Sequence, residues 1–173
     1  MNAGVGGVEM GRQIVLPDEE LASQIGEILG ELRARGQADC AILADMSGQL
    51  IEIRGEAEGA DPVLVAALAA GELSAMNELA RQIGDRSPSR CFLHEGERRR
   101  LYICDVSGTF VLIVIFSADA PVGLVRLFVR RAAERLAPLA NRFEELVRKD
   151  GSILGADFST ALSEELDRAF GGM

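Results

Sequence analysis

Hydrophobic positions change period along the chain, and each change marks an element. Leu21, Ile25, Ile28 and Leu32 recur at helical spacing, with Glu19, Glu20, Glu27 and Glu31 on other faces. Asp18 ahead of this stripe and Gly36 behind it supply a capping carboxylate and a stop, so the pattern predicts a first helix. Cys40-Ala41-Ile42-Leu43-Ala44-Asp45 is apolar at nearly every position, as a strand covered on both faces is. Ser47-Gly48 predicts a turn. Gln49 to Arg54 then alternates, with Ile51 and Ile53 on one side and Glu52 and Arg54 on the other, the pattern of a half-exposed strand near a sheet edge.

Asp61-Pro62 predicts a second helix start, and the helix runs to about Ile83 before Gly84. Val65, Ala69, Leu73, Met76, Ala80 and Ile83 form its predicted core stripe. Ala67, Ala70, Gly71, Ser74, Glu78 and Arg81 line another side, where small residues let a second backbone approach closely. A mid-helix glycine costs about 1 kcal/mol against alanine, so this smooth side has a use or is tolerated. It is either an interaction surface or a face that is solvated or packed inside the fold.

Three strands follow at Arg90 to Glu95, Arg99 to Val106 and Thr109 to Phe116, joined by turns at Gly96 and Ser107-Gly108. Val111 to Phe116 has no polar position and predicts a central strand. The last long helix starts near Pro121 and carries Val125, Val129, Ala132, Leu136, Leu139, Phe143 and Leu146 on one stripe. Pro138 should kink or break it. Arg126, Arg130, Arg131, Arg135 and Arg142 flank the stripe and read as a solvated face. The order αββαβββα predicts an α+β fold, a five-stranded antiparallel sheet with helices on both faces.

Residues 1–14 are glycine-rich and read as a flexible lead-in, 15–149 as the domain and 150–157 as a linker. In the terminal segment, 158–173, Phe158, Leu162, Leu166 and Phe170 recur every four residues. An isolated helix this short is marginal in water, so this stripe packs on its own domain or docks on a partner.

Composition narrows the function. A length of 173 residues suits one domain with a core plus tails. The net charge of −9 argues against nucleic acid and anionic membrane as partners. The longest uncharged run, Val106 to Ala118, is short of the ~20 apolar residues that span a bilayer. No signal-peptide pattern opens the sequence, and a cytoplasmic location is expected. Cys40, Cys91 and Cys104 are far apart in apolar runs and read as buried, reduced thiols.

His94 is the only histidine, which leaves little room for a zinc site or a nucleophile–base pair. Cys91 and His94, three apart on an alternating strand, point to opposite faces. No phosphate-binding Gly-x-x-x-x-Gly-Lys loop and no nucleophile elbow appear. The chain therefore reads as a non-enzyme with no catalytic residues, cofactor or metal of its own. Glu97-Arg98-Arg99-Arg100 could offer an arginine finger to a GTPase, but a charged turn that keeps an edge soluble is the favoured reading.

Several strings in this order resemble the roadblock/dynein light-chain family, and within it the MglB-like activators of Ras-like polarity GTPases. They are Ala41 to Asp45 through Gly48 to Ile51; Leu68 to Gly71 with Ser74-Ala75-Met76 and Leu79-Ala80; His94-Glu95-Gly96; Leu101-Tyr102; Val111 to Phe116; and Gly123 to Leu127 with Arg131 to Ala133. The segment Phe158 to Phe170 resembles the C-terminal segment of the same group.

The resemblance implies a roadblock (longin/profilin-like) fold and a homodimer whose sheets join edge to edge with the second helices paired. It implies one Ras-like, MglA-type GTPase bound per two copies, its own catalytic residues held in place, with GTP and magnesium on the partner. Carried over by position, the GTPase-facing residues are Ala67, Ala70, Gly71, Ser74 and Glu78. Phe158, Leu162, Leu166 and Phe170 would reach the GTPase away from its nucleotide. Asn77-Glu78 departs from the family's small residues late in this helix. The alternative is a roadblock scaffold dimer that leaves hydrolysis unchanged. A small-molecule sensor is the weakest reading, since the apolar strands show no convergent polar set.

Overall fold

The computed structural model describes residues 13, 14, 16–86 and 90–149. Helix α1 (Glu19–Gly36) leads into strands β1 (Cys40–Asp45) and β2 (Leu50–Gly55). Helix α2 (Pro62–Gln82), strands β3 (Cys91–Glu95), β4 (Arg99–Val106) and β5 (Phe110–Ser117), and helix α3 (Val122–Leu136) follow. After a turn at 137–138 the chain is helical again over 139–149, here α4. Pro138 thus divides the last helix, as its missing N–H and ring demand.

Every strand pair is antiparallel, in the order β2-β1-β5-β4-β3. β1 and β5 sit in the middle, and their apolar runs send alternate residues into two cores. Leu43, Leu112, Val114 and Phe116 face α1 and α3. Ile42, Val111, Ile113 and Ile115 face α2 with Ala66, Ala69, Ala70 and Leu73. The α+β fold with helices on both faces is therefore the observed one.

Local signals set the helix ends. Asp18 accepts a hydrogen bond from Leu21 N at 3.0 Å, and Gln37 closes α1 in a left-handed conformation with its N–H on Arg33 O. The Leu21 hydrogen bond and the Arg142 guanidinium hold the Asp18 carboxyl below the usual carboxylate range. Arg142 belongs to α4, and its Nε donates to Asp18 at 2.7 Å. The arginine flank is not wholly solvated, since Arg142 ties α4 to the cap of α1 and Arg135 of α3 pairs with Glu31 of α1.

The β2 alternation did not survive pairing. A bulge between Leu43 and Ala44 leaves Ile51 without an opposite residue. Ile51 joins the α1 core, while Ile53 packs toward α2, so the two isoleucines lie on opposite faces. At the front of the domain, Ile14 N donates to Leu50 O at 2.8 Å, and Gln13 bridges Leu50 in parallel. Residues 13 and 14, read from sequence as part of the lead-in, therefore line the β2 edge.

Candidate functional site

Helix α2 is positioned by its cap and by one turn beneath it. Asp61 accepts from Val63 N at 3.0 Å and Leu64 N at 3.4 Å, and Pro62 occupies the first turn, where an N–H has no acceptor. Gly48, at φ +87°, brings the β1–β2 turn against the helix. A Cβ there would stand 2.8 Å from Ala67 Cα and 3.4 Å from Ala70 Cβ. Part of the small-residue side therefore serves the fold. Ala70 is 5% exposed and packs inward with Ala66, Ala69 and Leu73, so it drops out of the exposed patch. Two helical stripes interleave here, and spacing alone did not separate them.

The rest of that side is open. Ala67, Gly71, Ser74 and Glu78 are exposed, and nothing lies within 4 Å of a Cβ built at Gly71. Arg81 donates to Glu78 at 2.8 Å, and Gln82 donates to its other oxygen at 2.8 Å. Beside them runs an apolar row that the sequence reading missed. Leu64 is 55% exposed, Leu68 64%, Leu79 53% and Ile83 76%. Ile83 is thus a surface residue, and Val65, Met76 and Ala80 are only partly buried.

A signal for this row existed. By length and composition α2 is apolar enough to cross a membrane, yet it lies across a sheet. A helix apolar on more sides than its own sheet covers leaves a surface for another occupant. Leu64 and Leu68 lie one turn apart near the start of the helix, Leu79 and Ile83 one turn apart at its end, and the exposed small residues Gly71, Ser74 and Ala75 lie between the two pairs.

The two sheet edges differ. β2 is lined by Gln13 and Ile14, whereas among the described residues β3 pairs only with β4. At the β3–β4 turn, Arg99 donates to Glu58 O at 2.9 Å, and Arg100 lies 3.5 Å from Glu95.

Cys91 and Cys104 are joined in a disulfide, which corrects the reduced-thiol expectation for both. Asp105 N donates to Arg90 O, so the neighbouring 91/104 pair falls at a close, non-hydrogen-bonded position of the ladder, with Cα atoms 4.1 Å apart. Strand register, invisible in a spacing of thirteen, created the pairing. Cys40 is buried and free, and burial raises its thiol pKa, which suits an inert core residue. Among the described residues no group of three His, Cys, Asp or Glu is arranged to hold a metal. Phe158, Leu162, Leu166 and Phe170 lie outside the described residues.

Comparison with known proteins follows the same lines. The Roadblock/LC7 domain matches residues 24–116. MglB of Myxococcus xanthus is 34% identical, with a TM-score of 0.68 over 78% of this chain and 97% of that one. The gliding protein MglB of Thermus thermophilus is 27% identical, with a TM-score of 0.67 over 76% and 98%. A structure described as MglB with a tetrameric arrangement is 28% identical, with a TM-score of 0.68 over 76% and 98%. A search of curated protein sequences finds no match. With the family domain spanning more than half of its residues, the chain belongs to the Roadblock/LC7 family.

Proposed function

We propose that two copies of this chain bind one Ras-like, MglA-type small GTPase and stimulate its GTP hydrolysis. The observation that carries this reading is the uncovered α2 row of Leu64, Leu68, Leu79 and Ile83 beside the open Gly71, in a chain 34% identical to MglB. Burying the exposed part of each such side chain is worth about 1–2 kcal/mol, a contribution that favours association. The β3 edge is the joint between copies, because among the described residues it has no neighbour but β4, whereas Gln13 and Ile14 meet the start of β2 at Leu50. Pairing there extends the sheet and sets the two α2 helices on one side of a common platform.

The chain supplies no catalytic group. It accelerates hydrolysis by binding the competent arrangement of the GTPase's own residues more tightly than the resting one, and the gain is limited by that difference in affinity. GTP and magnesium belong to the partner. Phe158, Leu162, Leu166 and Phe170 form a second contact on the GTPase, away from the nucleotide. The setting is cytoplasmic, and control of polarity or gliding motility is the corresponding process.

Single-turnover GTP hydrolysis by the GTPase, with and without this protein, tests the reading. Faster hydrolysis supports it, and tight binding with an unchanged rate leaves a scaffold. The Glu78 carboxylate favours that second reading, since it places charge late in a helix that must admit another backbone.

A further inference from the structure

Between α3 and the β3–β4 hairpin lies an open, largely apolar groove of about 430 Å³. Cys91, Tyr102, Val106, Val129, Ala133 and Ala137 line it. It is on the sheet face opposite α2, so the platform does not account for it. Its rim is basic. Arg90 and Arg126 have no carboxylate partner among the described residues, while Arg130 is paired with Glu134 at 3.3 Å.

We propose that this groove is the resting dock of the chain's own C-terminal segment, residues 158–170. Three observations choose that occupant. The segment's apolar residues recur every four, and around them stand Asp157, Glu164, Glu165 and Asp167 against Arg168 alone. An acidic, one-sided apolar segment complements an apolar groove with arginines at its lip. The lengths agree: Phe158 to Phe170 as a helix spans about 18 Å, and Arg126 to Ala137 along α3 spans about 17 Å.

The reach is sufficient as well. Thr109 donates to Glu144 at 2.5 Å, which fixes α4 at the same β4–β5 turn that brings Ser107 to the groove. From Lys149, the eight residues 150–157 extend up to about 26 Å, so the segment returns to its own domain without strain.

One apolar stripe cannot lie in this groove and on a partner at once. Docking therefore makes the segment's release a step in engaging any partner. This dock requires only the groove and the segment, whatever the partner is.

Hydrogen exchange on the full chain, without any partner, decides it. Amides of 158–170 should exchange at least about tenfold slower than in the Leu166→Asp chain. Arg126→Glu and Ala133→Glu should each restore fast exchange in the segment while the sheet amides stay protected. Residues of α3 along the groove should exchange faster in a chain ending at Lys149. Leu166→Asp leaves the domain untouched, so a folding defect in Ala133→Glu does not spoil the comparison. Fast exchange of 158–170 in the full chain overturns the proposal. So does protection that survives both groove substitutions, and so does protection lost on dilution, which would seat the segment on a second copy.

Discussion

On one face of the sheet, α1, α3 and α4 pack on the strands and on each other, and Arg135–Glu31 and Arg142–Asp18 tie helix to helix. On the other, α2 lies alone, seated chiefly by three alanines and Leu73, with Leu64, Leu68, Leu79 and Ile83 turned outward. The three-helix layer covers the middle of the sheet and leaves apolar surface at its flank, in the groove between α3 and the β3–β4 hairpin. A single helix on a five-stranded sheet leaves apolar surface for another molecule.

Substitutions sharpen that contrast, from the largest change in stability to the smallest. Leu29→Ala, in the three-helix layer, should cost about 2–5 kcal/mol in chemical denaturation, since Leu29 is fully buried. Gly48→Ala tests how α2 is seated, because the new methyl meets Ala67 at a positive φ. It should cost about 1–3 kcal/mol and loosen α2 first, read as faster amide exchange in residues 62–82 than in α1.

Asp18→Asn probes the ties of the three-helix layer. The folded-state pKa of Asp18 is lowered, so its contribution is present above its ordinary value of 3.8 and fades as pH falls through the folded value. The variant should melt below the parent at pH 7, and the two melting temperatures should converge as the pH is taken below 3.8.

Gly71→Arg should change stability least. Its Cβ enters open space, and replacing a mid-helix glycine gains up to about 1 kcal/mol of helix propensity. Its melting temperature should match or exceed the parent's while GTPase stimulation disappears. A variant that still stimulates hydrolysis at the parental rate removes the platform from the proposed function.

Much of the fold was legible because period and burial are linked wherever one element faces one core. Leu21, Ile25, Ile28 and Leu32 on α1, and the apolar runs of β1 and β5, needed only alternation and helical spacing. The β2 bulge, the Cys91–Cys104 pair and the inward turn of Ala70 were not legible. Each depends on which residue of another element stands opposite, and no local pattern carries that. The small side of α2 was visible as a stripe. The exposed leucines beside it were masked, because an apolar residue in a helix reads as core until the sheet beneath proves too narrow to cover it.

The sequence by itself determined the elements, their order, the caps at Asp18 and Asp61 and the layered architecture. These follow from backbone and side-chain preferences over a few residues. Only the tertiary structure decided which half of α2 is buried, which sheet edge is left open and where an apolar groove remains. Those outcomes depend on the register and area of surfaces that meet across many residues of chain, and short-range pattern is silent on both.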